Sequence, residues 1–165
     1  MSSLRRLGAT LGAAFATVRA VQRERDRLSG RPTKRATPTA RHADQPVTIA
    51  YDPDMDGHAD PGEVVWTWVP YEDDPNQGKD RPVVIIGHTG QRLAGVALTS
   101  KNKQRDDAVS VGTGGWDPKR RPSWAKVDRL LTIDPSEVRR EGSVLDRQHF
   151  NDVVNGVGRY HTVVR

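Results

Sequence analysis

Apolar positions along this chain fall into blocks of different period. Between Gly62 and Ser100 three runs read as strands. Glu63 to Pro70 alternates, with Val64, Trp66 and Trp68 on one face and Val65, Thr67 and Val69 on the other. Pro82 to Gly87 carries four consecutive β-branched residues, Val83, Val84, Ile85 and Ile86, the composition of a strand buried on both faces. Leu93 to Ser100 follows a short loop through Gly87, Thr89 and Gly90 and ends in Leu98, Thr99 and Ser100. A polar loop, Tyr71 to Asp80, separates the first two runs and delivers Arg81 to the start of the second.

Outside this block the period changes. Leu4, Leu7, Leu11, Ala14, Val18, Val21 and Leu28 alternate spacings of three and four, which predicts a basic amphipathic helix over 1–28, with Arg6, Arg19, Arg23 and Arg27 on its other face. Arg5-Arg6 before LGATLGAAFA imitates a secretory signal, but the apolar stretch is weak. Arg19 cuts it far short of the ~20 residues a spanning helix needs. The remaining readings for this helix are contact with a partner or with a membrane surface. Residues 29–60 read as a disordered, then acidic, linker rich in Pro, Thr and Arg at its start. A short strand is expected near Val109 to Gly112 and another from Ser123 to Arg129. Two helices should follow. Asp134 caps the first, with Pro135 at its first position and Glu137 closing a capping box. Asp146 caps the second, whose stripe of Phe150, Val153, Val154 and Val157 is a packing face. The tail, 158–165, carries no pattern.

Composition narrows the classes. There is no cysteine, which excludes a disulfide scaffold and thiolate-ligated zinc or iron–sulfur sites and is compatible with the cytoplasm. The net charge of +5 conceals three blocks: +8 over 1–42, −9 over 43–80 and +6 over 81–165. Basic segments flanking an acidic one point to anionic partners or to pairing within the chain.

Two motifs mislead. Asp52, Asp54, Asp56, Gly57, Asp60 and Glu63 occupy the ligand positions of a calcium loop. Yet Pro61-Gly62 and a strand stand where its exiting helix should begin, so a solvated turn is the preferred reading. Gly112-Thr113-Gly114-Gly115 lacks the Gly-Lys-Ser/Thr ending of a phosphate loop. More informative are Lys119, Arg120 and Arg121 between Trp116 and Trp124. Cations beside indoles suit single-stranded nucleic acid if the rings are exposed, and a solvated turn over core tryptophans if they are not. Lys101, Lys103 and Arg105 make a second basic loop.

The ordered set Gly62-Glu63-Val64-Val65-Trp66, Gln77-Gly78, Arg81-Pro82 with its aliphatic run, Ala97-Leu98-Thr99-Ser100, Pro122-Ser123-Trp124 and Val127-Asp128-Arg129-Leu130 resembles the MazF/PemK family of toxin–antitoxin toxins. The resemblance spans Pro61 to Gly156. It implies a mainly β fold, an SH3-like barrel of the MazF/CcdB type over 61–157 with C-terminal helices. It also implies a homodimer, an antitoxin partner, and cleavage of single-stranded RNA with neither metal nor cofactor.

The family's essential arginine and threonine match Arg81 and Thr99, the catalytic candidates. Arginine suits stabilisation of the crowded, more negative phosphorane that such cleavage passes through, since its planar fork binds two phosphate oxygens and stays charged. Gln77, Gly78, Pro82, Ser100, Lys119, Arg120 and Arg121 are the candidates for substrate binding. His58 and His88 are the obvious titratable alternatives, although His88 lies at a strand end outside the motif. The chain departs from the family in one loop, where Asp74-Pro75-Asn76-Gln77-Gly78 replaces Gly-Ser-Glu-Gln and Glu72-Asp73-Asp74 adds negative charge. Two alternatives stand beside the ribonuclease. One is a non-catalytic barrel that binds nucleic acid or a peptide; the other is a gyrase-inhibiting relative on the same fold.

Overall fold

In the computed structural model, residues 45–101 and 104–165 are described. The expected N-terminal helix (1–28), the linker up to residue 44, and Lys103 lie outside them. The three central runs form β2 (Glu63–Pro70), β3 (Gly78–Thr89) and β4 (Arg92–Thr99), an antiparallel meander. Further strands are β1 (Val47–Ile49), β5 (Ala108–Gly112), β6 (Ser123–Lys126), β7 (Leu131–Ile133), β8 (Arg140–Val144) and β9 (Val163–Val164). The sheet runs β5-β6-β4-β3-β1-β9, with β2 and β8 branching from β3 and β7 from β4. It curls into the partly closed, SH3-like barrel expected of the family, and α1 (Arg147–Val157) packs on it.

The consecutive β-branched residues of β3 serve two apolar clusters, as their pattern requires. Val84 and Ile86 join Val64, Val96, Leu98 and the Phe150, Val153, Val154 and Val157 stripe of α1. Val83 and Ile85 join Val65, Val69, Leu131 and Ile133 on the other face. An eleven-residue helix is marginal alone. Here Asp146 caps it, accepting hydrogen bonds from the Gln148 and His149 amides at 3.1 Å each, and the buried stripe holds it down.

Several elements differ from expectation. Strand β3 begins at Gly78, four residues early, so Arg81 is not delivered by a loop but stands within a strand, paired with Thr67 of β2. The polar Lys79-Asp80 pair concealed this extension. The helix expected after Asp134 is a single 3₁₀ turn, Pro135–Glu137, capped by Asp134 at 3.0 Å from the Ser136 amide. The chain then becomes β8, because the open edge of β2 offers backbone partners: Val64 faces Ser143, and the Arg139 amide donates to the Trp66 carbonyl at 2.8 Å. The expected strand Ser123 to Arg129 is shorter, and a turn separates it from β7. Residues placed in the linker and the tail also join the sheet, β1 pairing with β3 and, in parallel, with β9. Tyr51 donates to the Leu145 carbonyl at 3.0 Å and packs edge-on to Phe150. The folded body therefore begins before residue 61.

The acidic turn leads into β2 rather than a helix, and Glu63 is buried at its start. Among the described residues no group of three His, Asp or Glu side chains is placed to hold a metal ion. Nor is any helix among them long and apolar enough to cross a membrane.

Candidate active site

Strands β3 and β4 are paired from Thr89–Arg92 to Val83–Ala97 and then separate. Beyond that point β3 stays paired with β2, and β4 pairs with β6 instead. Arg81 pairs with Thr67 of β2, whereas Leu98 and Thr99 pair with Ala125 and Trp124 of β6. Counted on from Val83–Ala97, Arg81 and Thr99 hold equivalent positions on two diverging strands. The gap between them is a cavity of about 430 Å³, lined by both residues and by Trp66, Pro82, Ser100, Asp107 and Arg121 among others.

Arg81 is half-buried, and no hydrogen bond or ion pair holds its guanidinium among the described residues. Burial pushes it down from its ordinary value, while Tyr71 and Glu72 push back up; an arginine remains charged regardless. A desolvated cation with no internal acceptor is an anion site in waiting. Its neighbours add to the field. Lys79 is lowered by the charge of Arg81 first, then by burial and by Lys101. Thr99 Oγ1 accepts the Lys101 amide at 3.1 Å, which leaves its hydroxyl hydrogen to donate outward.

Carboxylates border the same cavity. Asp107 receives Arg105 Nε at 2.8 Å on one oxygen and faces Arg105 Nη2 at 2.7 Å with the other. Burial pushes Asp107 up, but hydrogen bonds from Arg105 and from Asp128 outweigh it, and the group lies below its ordinary value. Asp128 goes the other way, raised by burial and by the charge of Asp107. The two carboxyls are thus pushed in opposite directions by one another's presence. Asp80 is tied to Arg139 at 2.7 Å.

The binding candidates divide. Pro82, Ser100 and Arg121 line the cavity with Arg81 and Thr99. Arg121 is aimed by Asp117, with Nε 2.7 Å from Oδ2, an interaction that holds Asp117 below its ordinary value. Lys119 and Arg120 stand on an exposed turn outside the lining. Gln77 and Gly78 also lie outside it. The Gln77 side chain is committed to Asp74 Oδ2 at 2.8 Å, and Gly78 lets the backbone cross Trp68, whose indole a Cβ would approach to 2.6 Å. Trp116 is a core residue, 3% exposed, donating to Ser123 Oγ at 3.2 Å, so the exposed-indole reading fails for it; Trp124 is half-buried. His58 and His88 are exposed, and neither lines the cavity.

Sequence reasoning missed Trp66, Lys79, Asp107 and Lys126 as lining residues. The first two were within reach, because Trp66 lies one residue from the partner of Arg81 and Lys79 two positions before it. Asp107 and Lys126 carried no local signal.

The fold is thus a curled, partly closed β barrel whose sheet opens, among the described residues, onto an arginine without an ion pair and a threonine lining the same cavity. Residues 60–160 match the family model described as PemK-like, MazF-like toxin of type II toxin–antitoxin system, and the chain belongs to that family. Solved structures similar to it include MazF (Form-I) from Deinococcus radiodurans, at 16% identity and TM-score 0.49, covering 67% of this chain and 96% of that one. Another is the Mycobacterium tuberculosis toxin MazF-mt6, at 16% identity and TM-score 0.46, covering 59% and 94%. A third is the MazE–MazF complex (Form-II) from Deinococcus radiodurans, at 17% identity and TM-score 0.45, covering 67% and 96%. No curated protein matches the chain.

Proposed function

We propose that this protein is an endoribonuclease toxin that cleaves single-stranded RNA through attack of a 2′-hydroxyl on the adjacent phosphate. The observation that carries the reading is Arg81, whose guanidinium has no ion pair among the described residues and which lines one cavity with Thr99 where two strands part. In this reaction the 2′-oxygen forms a bond to phosphorus, and the bond to the 5′-oxygen breaks. The 2′-hydroxyl proton leaves to a base and a proton reaches the departing 5′-oxygen, giving a 2′,3′-cyclic phosphate and a 5′-hydroxyl end. The intermediate phosphorane carries more negative charge than the substrate. Arg81 meets that charge with two parallel N–H donors, and the Thr99 hydroxyl donates a third hydrogen bond. Ser100 and Arg121 hold the flanking ribose and phosphate.

Family membership supports two further parts of this reading: an antitoxin that holds the toxin inactive, and a homodimer as its assembled form. Sedimentation showing only monomer at high micromolar concentration would count against the dimer. The activity itself is tested by incubating wild-type and Arg81→Ala protein with mixed-sequence RNA in EDTA. Cleavage is expected from the wild type alone, with cyclic phosphate ends. Cleavage abolished by the chelator, or undiminished in the variant, rejects the mechanism, and no cleavage by either protein favours a binding-only barrel.

A further inference from the structure

Arg81 and Lys126 each line both of two cavities. The second, about 300 Å³, is lined on the barrel side by Arg81, Lys126 and Arg129 and on the loop side by Tyr71, Glu72 and Asp73. A carboxylate in its wall already engages two of these cations: Glu72 Oε1 lies 2.8 Å from Lys126 Nζ and 3.9 Å from Arg129 Nη1. We propose that Lys126 and Arg129 form a second phosphate subsite, next to the one at Arg81, and that Glu72 fills it in the free protein, so that the loop competes with RNA for the site. The inference rests on the ribonuclease reading for its substrate, not for its geometry.

Three observations support it. First, the partners are unequal. The Lys126 and Arg129 side chains are 28% and 19% exposed and belong to the barrel, whereas that of Glu72 is 57% exposed and belongs to a loop. Arg129 is fixed independently, donating from Nη1 to the Pro70 carbonyl at 2.8 Å. The cations are thus a built receptor, and the carboxylate is a visitor.

Second, the loop does not need this ion pair to keep its shape. The Tyr71 amide donates to Gln77 O at 2.8 Å, the Gln77 amide to Asp74 O at 3.0 Å, and the Asn76 amide to Asp74 Oδ1 at 3.0 Å. Lifting Glu72 breaks an exposed ion pair, which biases an equilibrium by at most about fivefold. Third, three cations on the barrel face two carboxylates on the loop. The cavity remains positive with the loop down and becomes more so when it lifts. A row of cations continuing from Arg81 suits a chain that presents anions at successive positions, which favours an RNA backbone over one protein carboxylate.

The test is a binding cycle with a fluorescein-labelled, mixed-sequence 2′-O-methyl heptanucleotide, which cannot be cleaved by 2′-hydroxyl attack. Failure of cleavage by the wild type in a separate assay would reject the proposed function yet leave this measurement intact. Glu72→Gln should tighten binding about three- to fivefold at low salt. The Lys126→Ala, Arg129→Ala double variant should weaken it and flatten the dependence of log K on log salt by about 0.7, the value for one neutralised phosphate on a single strand. Adding Glu72→Gln to that double variant should then change nothing. If the double variant does not fold, Lys126→Gln replaces it and should remove most of the Glu72→Gln gain. No gain from Glu72→Gln, or an equal gain in both backgrounds, overturns the subsite. A gain for an oligoglutamate peptide but not for the heptanucleotide also overturns it, and would assign the cavity to an acidic protein segment.

Discussion

The two ends of the β3–β4 ladder behave differently. At one end, His88–Leu93 and Thr89–Arg92 close a tight hairpin through Gly90, and β1 adds a further strand beside it. At the other, the strands part after Val83–Ala97, β3 remaining paired with β2 while β4 pairs with β6. The closed end carries the exposed His88, the open end the half-buried Arg81. A side chain in water is already satisfied by solvent, whereas a desolvated guanidinium without an acceptor retains binding capacity. The difference lies in where pairing stops: backbone divergence leaves room for side chains to converge on something other than each other.

The largest effect should come from the open end. Arg81→Ala should lower turnover on mixed-sequence RNA by about 10²–10³, the usual loss for one preorganised donor, and Arg81→Lys should recover little because an ammonium lacks the bidentate fork. His88→Ala, at the closed end of the same strand, should leave turnover at the wild-type level. Steady-state cleavage measurements on the three variants check this, and equal losses at both ends would erase the comparison.

Stability should respond at the closed end instead. A Cβ on Gly87 would overlap the Thr48 carbonyl oxygen, and β1 can only move away. Gly87→Ala should therefore cost about 1–3 kcal/mol, as overpacking does, read as a lower urea midpoint at unchanged slope. Intrinsic tryptophan fluorescence at Trp66, near the open end, should change little before unfolding.

A smaller effect is expected at the rim. Lys119→Ala should weaken RNA binding and flatten its salt dependence by up to about 0.7 for each phosphate it neutralises. Arg121→Ala should weaken it more, since Arg121 lines the cavity and its removal would free Asp117, now held below its ordinary value, to repel the RNA backbone. Titrations of affinity against salt distinguish the two.

The smallest effect concerns pH. Asp128 is raised above 3.8 in the folded protein by burial and by Asp107, so the folded state binds a proton that the unfolded chain has released. Stability from this group is full below 3.8 and is lost as pH rises through the folded value. Asp128→Asn keeps the neutral side chain and should remove that part of the decline, seen in urea midpoints at about pH 4 and pH 7. An unchanged pH profile would mean that folding does not raise Asp128.

Local pattern alone specifies a good part of this protein. Alternation in Glu63 to Pro70, the β-branched run Val83 to Ile86, and the capped stripe of Phe150, Val153, Val154 and Val157 each dictate a period and a buried face, and the structure keeps all three. Arg81 and Thr99 are selected by the family resemblance, and their motif positions lie on adjacent strands. Features that depend on an open edge or a distant charge emerge only when the chain is folded. The segment after the 3₁₀ turn is a strand because β2 had an unpaired edge, and β1 and β9 meet from opposite ends of the described chain. Glu72 meets Lys126 across 54 residues, and Asp107, on the cavity lining, shifts Asp128 from 21 positions away. Periodicity reports how a segment saturates its own backbone and which face it buries, but which side chains converge where strands separate depends on the register of the whole sheet.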